Sequence, residues 1–208
     1  MSFFRNLLNL LPRGEGEPLS PPQFFSCLPP LETEHLLLRK PRVKDAGDVF
    51  RYASDPEVAR YVLWDAHKDL QETRFYLRGL IRRARQGYPS SWVVTLRESG
   101  QVIGTIGYVW YSYDYRSAEL GYSLSREYWN RGLATEALKA VIDESFRSLP
   151  LNRIEAQYDL RNPASGRVME KSGLRQEGIL RDRLINKGEF VSVGIYAVLR
   201  SDWEKSQR

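Results

Sequence analysis

The hydrophobic pattern of the chain changes period on either side of residue 130. Glu119-Leu120-Gly121-Tyr122-Ser123-Leu124 reads as a strand. Beyond the turn Asn130-Arg131-Gly132-Leu133-Ala134, apolar side chains recur at Ala134, Ala137, Leu138, Val141, Ile142 and Phe146, the i, i+3, i+4 spacing of one buried helix face. Lys139, Asp143, Glu144 and Arg147 fall on the other side. The same reading from residue 31 onward predicts a first strand at 36–39, short helices at 43–53 and 57–61, and a longer helix at 71–86 ended by Gly87 and Pro89. Strands follow at 91–96 and 101–113, around the turn Ser99-Gly100, and at 118–124. After the amphipathic helix come a strand at 154–160, a helix opened by Pro163, and strands at 174–182 and 190–199 with a turn at Asn186-Lys187-Gly188. No internal repeat is apparent.

The first thirty residues differ from the rest. Phe3, Phe4, Leu7, Leu8, Leu10 and Leu11 line one side of a short helix, and residues 12–30 are rich in Pro, Gly and Ser, so 1–30 reads as an extension with a linker ahead of a domain at 31–208. Arg5, Asn6 and Asn9 interrupt the apolar stretch, which is too short to span a bilayer and unlike a signal peptide's continuous apolar region. Packing on the domain is the default role, ahead of docking a partner subunit or touching a membrane surface. At 208 residues and 42% hydrophobic content the chain suits one domain with an appendage and a sizeable core. A single cysteine, Cys27, and two histidines, His35 and His67, argue against an internal disulfide, a zinc cluster or a Cys-His nucleophilic pair; a reducing cytoplasm fits. The net charge of +5 indicates affinity for polyanions without naming one, and an ordinary basic, soluble surface is preferred over specific nucleic-acid binding. Metal-loop, Walker and Gly-x-Ser-x-Gly patterns are not found.

The chemistry concentrates at the strand-to-helix junction. The first amides of a helix lack intrahelical partners and the aligned peptide dipoles leave partial positive charge there, so the backbone of Arg131 to Thr135 suits a pyrophosphate. Gly132 either lets the backbone approach that anion or only relieves a tight turn. Downstream, Asn162 is an N-cap, Pro163 a favoured first helical residue and Gly173 a helix stop.

Arg131, Gly132 and Ala134 resemble the acetyl-coenzyme A signature of the GNAT superfamily of N-acetyltransferases, Gln/Arg-x-x-Gly-x-Gly/Ala, with Trp129 at its first position. Residues 128–138 (YWNRGLATEAL) are similar to the RimJ/RimL-type branch, which commonly carries Trp there. Asn162-Pro163-Ala164-Ser165 and the following Lys171-Ser172-Gly173-Leu174 resemble the branch's second motif, with Leu174 in place of Phe. The likeness extends from Leu31 to about Trp203 and includes residues 31–39 (LETEHLLLR), where His35 stands for the usual Arg, and residues 102–107 (VIGTIG). It implies a GNAT fold of the α/β class: a mixed, mostly antiparallel sheet of about seven strands flanked by helices, with two neighbouring strands splayed apart. Here those are 118–124 and 154–160. It implies acetyl-coenzyme A as acyl donor and no metal. The expected cofactor contacts are Tyr122, Ser123 and Leu124 on the splayed strand, Asn130, Arg131, Gly132, Leu133, Ala134 and Thr135 at the nest, and Asn162 and Ser165 under the pantetheine arm.

Acetyl transfer from a thioester needs a neutral amine, a polarised carbonyl and a proton source for the thiolate. An α-amino group titrates near 7.7 to 8.0 and lysine near 10.4, so their neutral fractions at pH 7 differ by roughly 10² to 10³; a peptide N-terminus asks less of the base. Glu119 is the candidate base, directly or through water, because Ala118-Glu119-Leu120 resembles the Ala-Glu-Ile of several GNAT enzymes. Its plain alternatives are a solvent-facing strand glutamate, or a residue binding the amine without taking its proton. The family's tyrosine acid is replaced by Met169, which leaves Ser165 to donate a hydrogen bond to the leaving sulfur, unless it is merely an exposed first-turn residue. Trp64, Asp65 and His67 on a loop make an aromatic wall with an adjacent acid suited to a cationic amine; otherwise Trp64 caps the core and His67 lies on the surface. Tyr108, Tyr111, Tyr113 and Tyr122 line the cleft or simply pack. The expected activity is acetyl transfer to a primary amine, among them the N-terminus of a ribosomal or other cytoplasmic protein. The alternatives are a small amine (diamine, amino acid or antibiotic) and a coenzyme A-binding module without turnover. A monomer or homodimer is expected.

Overall fold

Strand alternation and helix periodicity assemble one sheet with helices on both faces. The computed structural model describes residues 19–207, and the apolar stretch 3–11 lies outside them. In chain order the elements are helix α1 (Pro21–Cys27), strands β1 (Leu31–Glu32) and β2 (Leu36–Arg39), and helices α2 (Ala46–Ala53), α3 (Pro56–Ala59) and α4 (Leu70–Arg85). Then come strands β3 (Ser91–Leu96), β4 (Val102–Ser112) and β5 (Ser117–Leu124), helix α5 (Leu133–Ser148), strand β6 (Arg153–Asp159), helix α6 (Pro163–Lys171), strands β7 (Arg175–Asn186) and β8 (Glu189–Leu199), and helix α7 (Arg200–Ser206). The eight strands lie in the order β1-β2-β3-β4-β5-β6-β8-β7. All neighbours are antiparallel except β5 and β6. The strand beyond the expected seven is the two-residue β1, too short to leave a pattern in the sequence.

Helices α5 and α6 cover one face. The predicted stripe of α5 is buried there with Ile106, Tyr108, Leu120 and Ile154. On the other face α2 and α4 press Val49, Tyr52, Ala53 and Leu77 onto Val93 and Val102. Full burial of a valine or leucine side chain in this way is worth about 1.5–3 kcal/mol. These helices sit over the β2–β4 half, so the face of β5 and β6 beyond them is left for the site.

Residues 12–30 do not form a linker throughout. Pro21 occupies the first turn of α1, where its fixed φ favours a helix, and Phe24, Phe25 and Leu28 lie in the main core at 0–1% exposure. Phe25 meets Tyr108 edge to face at 5.0 Å, and the Trp92 indole donates to the Pro29 carbonyl at 2.8 Å. Proline and serine mark a helix start here, and two adjacent aromatics supply the burial that composition alone concealed. Two further differences concern the C-terminal part. Strand β7 runs on to Asn186 through a register shift between Leu180 and Leu184, and α7, which was not expected, is fastened by the Trp203 indole donating to Asp143 at 2.6 Å.

The decisive feature is the β5–β6 pair. It holds only for Ser117↔Arg153, Ala118↔Ile154 and Glu119↔Glu155. Beyond Glu119 each strand keeps its outer neighbour, β5 with β4 to Leu124 and β6 with β8 to Asp159, and the two separate as expected for 118–124 and 154–160. Phe25→Ala should cost about 3–5 kcal/mol, read as a lower urea midpoint at unchanged slope; an unchanged midpoint would remove α1 from the core.

Candidate active site

The chain passes from β5 into α5 through two left-handed residues, Asn130 (φ 59°) and Gly132 (φ 80°). The first amide of this segment to find a backbone acceptor is that of Glu136, which donates to Gly132 O at 3.0 Å. Among the described residues, the N–H groups of Arg131 to Thr135 donate to no protein group, which is the electropositive nest that an anion fits. Leu133 is buried and offers only its backbone, whereas Asn130 and Arg131 are exposed. Supporting side chains fix the turn: the Trp129 indole donates to Leu124 O at 2.8 Å, and the Arg131 guanidinium lies 5.3 Å from the centre of the Tyr128 ring. Glu136, one turn into α5, accepts from Thr33 Oγ1 at 2.5 Å and the His35 amide at 2.8 Å, and its other oxygen lies 2.9 Å from His35 Nδ1. His35, in the place of the family's arginine, thus ties the start of β2 to the nest helix. Its pKa is raised by the hydrogen bond to Glu136.

Backbone direction along β5 decides which groups face the gap. Ser125 N donates to Ile103 O, and hydrogen-bonded and non-bonded pairs alternate in an antiparallel ladder. By this alternation Thr105–Ser123 and Gly107–Gly121 are the bonded pairs of the register. The Tyr122 amide and carbonyl therefore turn away from β4 into the splay. Leu124 does the same, but its carbonyl is taken by Trp129. Ser123 satisfies its backbone on β4 and sends its hydroxyl to Thr105 at 3.2 Å on the opposite face, so of the three expected strand contacts it is the one turned away from the gap.

Across the splay stands α6. Asn162 is its N-cap by position, yet its side chain makes no capping bond; the Ser165 amide instead reaches the Asn162 carbonyl at 3.1 Å. The Tyr122 hydroxyl lies 2.9 Å from both the carbonyl and Oγ of Ser165. Burial pushes the Tyr122 pKa far above the ordinary tyrosine value and keeps it protonated. Met169 is buried in the core at 2% exposure. The hydroxyl pair on this side is therefore Tyr122 and Ser165, one from the strand and one from the helix. Tyr108 and Tyr111, by contrast, pack against Phe25.

Glu119 projects from the last paired position of β5 to the α2/α4 face and is 9% exposed. Its Oε2 accepts from the Trp110 indole at 2.5 Å and its Oε1 from Gln157 Nε2 at 3.0 Å. Burial raises the Glu119 pKa; the Trp110 and Gln157 donors and Arg183 oppose the rise, and Glu155 adds to it. Trp64 and His67 border the same face. Their rings are 5.7 Å apart, His67 Nδ1 is 2.9 Å from Thr73 Oγ1, and Trp64 packs against the α2/α4 cluster. Burial lowers the His67 pKa, so it is neutral at pH 7. Lys187, from the β7–β8 turn, donates to the carbonyls of Val62 and Trp64 at 2.9 and 3.2 Å, closing the two expected acceptor segments onto each other. No hydrogen bond links Trp64 or His67 to Glu119, whose partners are Trp110 and Gln157. Neither partner was legible in the sequence. Among the described residues no group of three or more metal-ligating side chains exists.

The chain has known relatives. The model of the acetyltransferase (GNAT) domain matches residues 35–175. The chain belongs to the GNAT acetyltransferase family. It is 34% identical over 173 residues, 83% of this chain and 97% of the relative, to the uncharacterized N-acetyltransferase p20 of Bacillus licheniformis. Over 43% of this chain and 46% of the relative it is 32% identical to the [ribosomal protein uS5]-alanine N-acetyltransferase of Escherichia coli. Its fold is that of RimL, the ribosomal L7/L12 alpha-N-protein acetyltransferase solved in complex with coenzyme A, with a TM-score of 0.75 at 18% identity, covering 82% of this chain and 98% of that one. The GNAT chain is thus an acyltransferase. In this GNAT fold, Gly132→Ala places a β-carbon at φ 80° with open space around it, so the cost is backbone strain of about 1–2 kcal/mol. A turn that relaxes to relieve that strain displaces the nest amides, so affinity for coenzyme A, used as the anionic probe in calorimetry, should fall by roughly tenfold, the equivalent of about 1.4 kcal/mol; unchanged affinity would count against the nest.

Proposed function

We propose that this acyltransferase takes acetyl-coenzyme A as donor and acetylates a primary amine, the N-terminal amine of a cytoplasmic protein of the ribosomal class. The observation that carries the reading is the placement of a buried carboxylate, Glu119, on one side of the splay and a hydroxyl pair, Tyr122 and Ser165, on the other. The unpaired amides of the nest suit the diphosphate of the donor, and the Tyr122 backbone groups suit its amide-bearing arm. Relatedness to an enzyme named for a ribosomal-protein alanine supports the acceptor class, as does the lower demand that an α-amino group makes on a base.

In this reading the acceptor ammonium gives a proton to Glu119, directly or through water. The neutral nitrogen attacks the thioester carbon, the C–N bond forms and the C–S bond breaks to release coenzyme A as its thiolate, and the second amine proton passes to that thiolate or to solvent, Glu119 already holding the first. Ser165 donates a hydrogen bond to the departing sulfur, oriented by Tyr122. Trp64 supplies an aromatic wall for the cation. His67, neutral and hydrogen-bonded to Thr73, adds no charge that would repel it.

Glu119→Gln should lower kcat/KM by roughly 10²-fold or more and leave coenzyme A affinity near that of the native chain. The Glu119 pKa is raised, so its base form is lost as pH falls through that raised value, and activity should fail at a higher pH than an ordinary glutamate dictates. Thiol release measured across peptides with free N-termini, diamines and amino acids tests the acceptor. Turnover only with small amines would overturn the protein-acceptor reading, and a Gln variant as active as the native chain would overturn the role of Glu119.

A further inference from the structure

Side chains on a regular strand alternate, so Tyr108 and Trp110 of β4 ought to share a face. They do not. Tyr108 is paired with Leu120 and Trp110 with Glu119, one residue apart on β5 but two apart on β4, with a register shift between them. Val109 is the extra residue of this bulge, and a one-residue insertion reverses the side to which every later side chain points. Tyr108 consequently faces α5, where its hydroxyl meets Ser145, while the Trp110 indole faces Glu119. Gly121 is part of the same device, since a β-carbon there would come within 3.0 Å of Val109 Cγ2. From the far side of the splay, β6 brings Gln157, two residues beyond the last β5–β6 pair, to the other carboxylate oxygen.

We propose that Trp110 and Gln157 are positioning residues that hold the Glu119 carboxylate in one orientation at the mouth of the splay, each binding one oxygen and leaving a lone pair on each for the acceptor. The inference rests on the reading of Glu119 as the base. Two donors are needed because the carboxylate is buried, and without them its charged form would lose its solvation. Burial makes it a stronger base than an exposed glutamate, and the two donors oppose that rise by stabilising the charged form. The other charges that act on it are Glu155, itself paired with Arg153 at 2.7 Å, and Arg183 from β7. Gln157 spans the point where β5 and β6 part, so it also fixes the width of the opening at the height of the base.

The test is the pH profile of kcat for Trp110→Phe, which keeps the ring and loses the N–H, and for Gln157→Met, which keeps the length and loses the donor. With one acceptor throughout, its own ionisation is common to all variants. Both substitutions should move the acid limb upward by on the order of one pH unit, with activity recovering at higher pH and coenzyme A affinity unchanged. An acid limb at the native position in both folded variants, while Glu119→Gln abolishes it, would overturn the positioning role and leave Glu119 as the base. Loss of neither rate nor acid limb in Glu119→Gln would instead overturn the base assignment itself. If Trp110→Phe unfolds, the Gln157→Met profile decides alone.

Discussion

The interaction on which the site depends is the parallel pairing of β5 and β6, and above all its end after three residue pairs. A sheet ordinarily continues until its backbone groups are satisfied, because an unpaired buried amide or carbonyl costs about 1–3 kcal/mol. Here each strand remains bonded to its outer neighbour, and the inner edge of β5 at Tyr122 is left with donor and acceptor directed into a cleft. That edge is a template for an extended, amide-bearing ligand, in the manner of a peptide adding to a sheet. It also makes a passage between the two faces. Nest, Tyr122 hydroxyl and Ser165 lie toward α5 and α6, while Glu119, Trp64 and His67 lie toward α2 and α4.

Charge is distributed to match. Toward α5 and α6, left-handed turns at Asn130 and Gly132 bring unpaired amides to the start of α5, a fixed positive field requiring no rearrangement. Toward α2 and α4 a carboxylate is buried between an indole and a carboxamide. Burial of this kind is unfavourable for folding, and the aromatic core on the opposite face of the sheet offsets it: Phe24 meets Trp92 and Tyr108 edge to face, Phe25 meets Tyr108 in the same way, and Trp92 lies tilted against Tyr108. The N-terminal helix α1 is therefore part of the support of the strand that carries Trp110.

Much of this is legible in the residues alone. The period of α5, the strands on either side of Ser99-Gly100, and Asn162-Pro163 as a helix opening are local signals, written in neighbours a few residues apart. The motif around Gly132 and the likeness at Asn162 to Ser165 drew attention to residues that the structure brings to the two sides of one gap. What escaped was of other kinds. Strand β1 is too short to have a pattern, α1 is disguised by Pro and Ser, and β7 passes through a register shift that no alternation predicts. The partners of Glu119 escaped because Trp110 is nine residues away around a bulged hairpin and Gln157 lies on a strand reached only after a helix.

The sequence by itself determined the order of the elements from β2 to β8 and the turn that presents backbone amides, because each follows from propensity and spacing within a short window, and its motifs carried the resemblance to the family. Only the tertiary structure decided where β5 and β6 part, that Tyr122 points its hydroxyl at Ser165, and that Trp110 faces Glu119. Those outcomes depend on strand register, and register is set by pairings between distant segments. One inserted residue at Val109 turns the indole from one face of the sheet to the other while leaving the local hydrophobic pattern almost unchanged.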